Sequence, residues 1–255
     1  MEQPRAPLVL TFLGSGNAFA PGRFWSGFLL DRRVQFDAPP TLLAQLKRLH
    51  LDPAAIDVVF ISHFHADHLF GLPFLLLDYD YVTPRRSDLT VVGPPGVEET
   101  LRRLMEIGYP GHWGREAGYR LRFLEARPEE AQRAGDLPFR AYRMRHAVGK
   151  LECFGFKVEA GGRTLAYSGD TAMCDAIFAL AEGADVLVLD CAHAHAGSEE
   201  HLGFDEVREL RRRIDPRTVL VLTHLEAAPD VTGMPATLVA EDGATICVAP
   251  QGGNR

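Results

Sequence analysis

The stretch ISHFHADHLFGL, residues 61–72, sets His63, His65, Asp67 and His68 within six positions, directly after the apolar run IDVVFI. In extended backbone the side chains of residues i and i+2 point the same way, so His63 and His65 can grip one metal ion. The chain must then turn at Ala66. Asp67 and His68 would leave the start of the next helix, displaced to one side, and could hold a second ion nearby. Imidazole with carboxylate suits Zn²⁺, with Mn²⁺ or Fe as substitutes. A surface loop that is His-rich by chance is the bland alternative. Four potential ligands packed this tightly at a strand end seldom arise without use.

Four ligands do not complete two sites, and the rest should stand at other strand ends. His146 ends FRAYRMRH, Asp170 ends TLAYSGD and His224 ends VLVLTH. Each follows an apolar or alternating run, so each side chain would emerge onto a shared rim. Taken singly, a strand-end His is more often an ordinary hydrogen-bonded residue. Their joint occurrence carries the argument. The second HxH, His193 and His195, lacks a downstream Asp-His pair and reads as loop or substrate rim. Arg85 and Arg86 could meet a phosphate, but a solvated charge pair is the commoner role.

The elements that must position these groups can be read from periodicity. LVLTFL, GFLLD, RVQF, IDVVFI and LTVV read as strands in the first half. TLLAQLKRLHL, LFGLPFLLLDYDY and VEETLRRLMEIG read as helices. YRLRFLEA, FRAYRMRH, LECFGFKVEAGG and RTLAYSGD read as strands, with a hairpin around AGGR. A helix CDAIFALAEG, a buried strand ADVLVLDC, a helix FDEVRELRRRI, a buried strand TVLVLTHL and a short run ATICVA follow. With no low-complexity tract or Ser/Gly/Pro-rich linker, the order predicts one domain over residues 1–255. It is of α/β (α+β) class: two mixed sheets face to face with helices outside. Irregular stretches at about 78–88, 109–118, 192–202 and 226–235 would line a site.

The chain has 255 residues, 46% of them hydrophobic, and a formal net charge of −7. That charge argues against coating nucleic acid by bulk attraction. No stretch reaches the length of a membrane span, and the N-terminus lacks the pattern of a secretion signal. Cys153, Cys174, Cys191 and Cys247 form no CxxC pair. They read as buried free thiols in a reducing cytosol, so a cytoplasmic location is expected.

SHFHADHLFGL resembles the HxHxDH signature of the metallo-β-lactamase superfamily. LTFLGSGNAFAPGR resembles the opening strand and Gly-rich turn of its ribonuclease Z-like branch. YSGDT and LTHL resemble that branch's bridging-aspartate and last-histidine motifs. The resemblance spans residues 8–224 and implies an αββα sandwich with a metal site at one edge. It implies that His63, His65 and His146 hold one Zn²⁺, that Asp67, His68 and His224 hold another, and that Asp170 bridges them. In such a site the metals share a water and lower its pKa toward neutral, giving a hydroxide that attacks phosphorus or a carbonyl carbon. Asp67 counts among the catalytic residues. His201 matches the branch's proton donor and Asp190 its acidic partner, where the branch usually has Glu.

Three departures from the branch bear on substrate. Only a hairpin's worth of chain separates His146 from Asp170, where tRNA-processing members carry a long arm. LEAAPD follows the last His in place of a Ser-x-Arg-Tyr-like segment. FDAPPT replaces an Asp-Cys-Gly-Glu-Gly-Thr-like turn. The expectation is an arm-less phosphodiesterase acting on a small-molecule or short phosphodiester substrate, with nucleic acid less favoured. Cyclic-nucleotide phosphodiesterases are the natural comparison, and a homodimer is implied by the relatives. The rivals are a lactonase, thioesterase or β-lactamase-like carbonyl hydrolase, a tRNA 3′-processing endoribonuclease, and a non-catalytic metal-binding protein.

Overall fold

The computed structural model describes residues 6–250. Residues 1–5, part of the stretch read for a secretion signal, lie outside the described residues. Two seven-stranded sheets dominate. In the first, β1 (Leu8–Gly14), β2 (Gly27–Leu30), β3 (Val34–Phe36), β4 (Val58–Phe60), β5 (Leu89–Gly93) and β6 (Leu121–Glu125) lie side by side in chain order. The second runs β7 (Gln132–Ala134), β8 (Leu137–Arg143), β9 (Phe154–Ala160), β10 (Arg163–Tyr167), β11 (Val186–Asp190), β12 (Val219–Thr223) and β13 (Thr237–Val239). The C-terminal strand β14 (Thr245–Val248) returns to pair with β1.

Both sheets are mixed. From β3 to β6 and from β10 to β13 neighbours are parallel, and the remaining pairs are antiparallel. Parallel neighbours need crossovers, which place helices on the outer faces. On the first sheet these are α1 (Leu42–Arg48), a single turn α2 (Ala66–Leu69), α3 (Leu72–Tyr81) and α4 (Val97–Gly108). On the second they are α5 (Asp175–Ala181) and α6 (Phe204–Arg213).

The period-two pattern of the strands sorts their side chains into two directions. Leu10 and Phe12 of β1 point between the sheets, as do Val186 and Val188 of β11. Leu13 turns outward against the helices of the first sheet, and Leu187 and Leu189 against those of the second. Between the sheets Phe36 stacks on Phe28 at 4.7 Å and on Phe60 at 5.2 Å. Tyr167 meets Phe28 and Phe36 edge-on from the opposite sheet.

Three details differ from the sequence reading. The helix expected over LFGLPFLLLDYDY is broken, because Pro73 has no N–H to continue a helix through Gly71 and can only begin a new one. An added Cβ on Gly71 would lie 2.1 Å from the Pro39 carbonyl oxygen, so the break also lets the chain pass close beneath α3. The three-residue strands β7 and β13 carry no apolar alternation, and both are edge strands recruited by a neighbour. Third, Cys247 is exposed and Cys174 half-buried, whereas Cys153 and Cys191 are buried; Cys247 lies on the edge strand β14. The expected hairpin is present: Ala160 pairs with Arg163 around Gly161 and Gly162, both at positive φ.

Candidate metal centre

Strands that run parallel deliver their C-terminal ends to one rim, where ligands of α/β sheets gather. His63 and His65 follow β4, and Asp67 and His68 lie on α2. His146 lies past β8, Asp170 past β10 and His224 past β12. The structure brings all seven together.

His65 Nδ1 lies 2.9 Å from His63 Nε2 and 3.2 Å from His146 Nε2. Asp170 Oδ2 stands 3.8 Å from both of those Nε2 atoms. On its other side the same oxygen lies 3.3 Å from His68 Nε2 and 3.4 Å from His224 Nε2. Asp67 Oδ2 adjoins that pair, 3.4 Å from His68 Nε2 and 3.7 Å from His224 Nε2. Two donor groups thus meet at one carboxylate, and each could hold a metal ion.

The donor chemistry fits a cation. His68 Nε2, His224 Nε2 and Asp170 Oδ1 are buried without a hydrogen-bond partner, which is costly for polar atoms in a protein interior. Burial, helped by neighbouring imidazoles, drives the pKa of His63 and of His65 down and leaves neutral rings with a lone pair to offer. For His68 and His224 burial acts the same way, but Asp170 and the flanking carboxylates outweigh it. His68 is pushed well up and His224 to about 10. Burial works against ionised Asp67 and Asp170, yet the charges on His68 and His224 hold both well below the usual carboxylate range. Protons on His68 and His224 therefore balance the carboxylates, and a divalent cation would take over that balance.

A family model described as the beta-lactamase superfamily domain matches residues 32–225. The chain belongs to the beta-lactamase superfamily. Ribonuclease BN of Escherichia coli O1:K1 / APEC is 29% identical over 279 residues, spanning 84% of this chain and 88% of that protein. The short form of human tRNase Z superposes with a TM-score of 0.75 at 24% identity, covering 95% of this chain and 100% of that one. A diphosphatase from the PhnP family gives 0.73 at 20% identity, covering 94% and 97%. At these identities the two structures establish the fold, the αββα sandwich of the metallo-β-lactamase superfamily.

Around the cluster, a second layer of groups fixes which ring nitrogen faces inward. Asp37, unassigned from sequence, ends β3 fully buried and at φ +51°. It accepts hydrogen bonds from His68 Nδ1 at 2.7 Å, Tyr167 Oη at 2.6 Å, Ser62 Oγ at 2.8 Å and Ser62 N at 2.7 Å. Ser62 Oγ in turn lies 3.0 Å from His63 Nδ1. Partners on Nδ1 leave Nε2 for a metal. The signal for Asp37 was present: like Asp170 and Asp190, it is an acid ending an apolar strand. His146 Nδ1 donates to the Glu200 carbonyl oxygen at 2.9 Å, while the Glu200 carboxylate accepts from Ala147 N. No sequence pattern marks Glu200.

Asp190 reaches His201 despite its short side chain, with Oδ2 3.0 Å from Nδ1. Its other oxygen is 3.4 Å from His224 Nδ1. Burial opposes a charge on His201, and the Asp190 hydrogen bond outweighs it, so the His201 pKa is raised. The His201 ring lies 5.2 Å from that of His224 and is still partly open to solvent.

The two Arg readings part company. Arg85 is neither a phosphate ligand nor a solvated cation: it is buried, donates to the Ala54, Ser87 and Asp88 carbonyls, and stacks on Tyr79 and Tyr119. Its aromatic neighbours and a carbonyl cage replace the water a surface Arg would have. Arg86 stays exposed. His193 and His195 lie in the loop before His201, with His193 Nε2 3.3 Å from Ser198 Oγ.

Proposed function

We propose that the chain is a single hydrolase domain, a dinuclear metal-dependent phosphodiesterase. His63, His65 and His146 would hold one ion, Asp67, His68 and His224 the other, and Asp170 both. Metal ions bound there supply a nucleophile from water at neutral pH and offset negative charge on the substrate. Zn²⁺ suits the donors, with Mn²⁺ or Fe as substitutes.

The chain's own residues do the rest. Asp37 and Ser62 hold the His68 and His63 rings in the tautomer that aims Nε2 inward, and the Asp190 carboxylate stands 3.4 Å from His224 Nδ1. Asp190 also orients His201 and keeps a proton on it, so that His201 Nε2–H can protonate a leaving alkoxide. The observation that carries the reading is this pairing of a proton-bearing imidazole with two donor groups that meet at Asp170. Relatives named as ribonucleases and a diphosphatase support phosphorus over carbonyl chemistry.

Size favours a small or short phosphodiester. Between His146 and Asp170 lie only a loop, β9, a two-residue turn and β10, with no arm to grip a folded RNA.

The test is an assay of zinc- or manganese-loaded protein on bis(p-nitrophenyl) phosphate, cyclic nucleotides, a precursor tRNA and a lactone panel, with metal content measured alongside. Two ions per chain and turnover of phosphodiesters are expected. Turnover of lactones alone would sink the reading. His201→Ala should lower kcat about a hundredfold or more with metal content unchanged; full activity in that variant removes His201 as the acid.

A further inference from the structure

We propose that Phe19 is a stacking platform for a flat aromatic ring, a nucleobase or aryl group, attached to the phosphoester that the metal centre takes. The proposal rests on the phosphodiesterase reading and adds a substrate class to it.

Phe19 lies on the segment between β1 and β2 and is 92% exposed, the most exposed large hydrophobic residue among those described. The segment beneath it is bolted down. Ser15 N, Ser15 Oγ and Phe24 N all donate to the Asp242 carboxylate, at 2.8, 2.8 and 2.7 Å. Leu225 N donates to the Ser15 carbonyl, and Asn17 N to the Leu225 carbonyl at 3.1 Å. Asn17 Nδ2 reaches the Ala192 carbonyl at 3.4 Å. Trp25 Nε1 donates to the Ala18 carbonyl, and Phe19 N to Asn17 Oδ1 at 2.9 Å.

These ties seat the segment between two stretches of the centre. Leu225 follows His224 directly, and Ala192 lies two residues past Asp190. Phe19 is two residues from Asn17, so its Cα stands no more than about 7.6 Å from that of Asn17. Through Leu225 and Ala192 that stem is tied to the segments that carry His224 and Asp190. The Phe19 backbone is fixed and its ring faces water.

An exposed ring on a fixed stem loses little entropy on capturing a partner. It also suits this chain's charge. With a net charge of −7, long polyanions are repelled, whereas stacking on a single ring needs no positive surface.

The experiment compares two product analogues that differ by a ring, thymidine 5′-monophosphate and methyl phosphate, by calorimetric titration of the zinc-loaded protein. The nucleotide should bind about fivefold to tenfold tighter than methyl phosphate. In Phe19→Ala that ratio should fall to about one, and in Phe19→Tyr it should persist. Equal binding of the two in the native protein, or a preference that survives Phe19→Ala, overturns the proposal. A parallel assay on thymidine 5′-p-nitrophenyl phosphate separates the two readings. Absence of turnover there defeats the phosphodiesterase reading, while the binding ratio still decides the role of Phe19.

Discussion

Asp37 shows how much of the candidate centre is shaped by residues outside the donor cluster. Its carboxylate takes four hydrogen bonds from three residues, one on the second sheet, and one of those bonds fixes the His68 ring. Asp190 does the same for His201. Removing such an orienting partner typically weakens metal binding tenfold to a hundredfold. Asp37→Ala should therefore raise the zinc dissociation constant by about that factor, measured against a chromophoric chelator. Unchanged affinity would mean that His68 is held by packing alone.

At the scale of elements, the passage from β3 to α3 decides the geometry. The chain leaves β3 at Asp37, crosses under the α2–α3 break and is held there by Gly71 N donating to the Ala38 carbonyl, 2.8 Å away. Gly71→Ala would drive a methyl group into the Pro39 carbonyl, two residues past Asp37. The expected loss is about 1–3 kcal/mol, the usual range for overpacking, read from the urea midpoint with an unchanged m-value. Zinc affinity should fall with it. A variant as stable as the parent would show that α3 can shift freely over the turn.

For the whole molecule, the centre ties both sheets together: four donors come from the first sheet and three from the second. Metal that binds the folded state alone must stabilise it, by about 2.7 kcal/mol at a hundredfold excess over the dissociation constant. Chelation should lower Tm and zinc restore it. The pH dependence should reverse between the two forms. Without metal, His68 and His224 hold protons whose pKa folding has raised. Their contribution is complete below about pH 6.5, the ordinary histidine value, and is lost as pH climbs through about 10 for His224. With metal, those protons must be displaced, so the zinc-induced rise in Tm should shrink as pH falls. A zinc effect that is constant from pH 8 to pH 5.5 would exclude His68 and His224 as ligands.

Much of this was written in local pattern. Alternation and apolar runs gave the strands, and the spacing of His63, His65, Asp67 and His68 gave one corner of the cluster. Local pattern reports a residue's neighbours along the chain, so His146, Asp170 and His224 were legible only as strand ends. Asp37 and Glu200 act through partners far along the chain: Tyr167 lies 130 positions from Asp37, and His146 lies 54 from Glu200. Arg85 looked like a surface cation because its aromatic cage is assembled from α3 and the segment before β6. The edge strands β7 and β13 owe their form to neighbours they pair with. Sequence by itself therefore determined which side chains could do chemistry and which elements carry them. Only the tertiary structure decided which nitrogen each ring presents, since that depends on hydrogen bonds closed across two sheets.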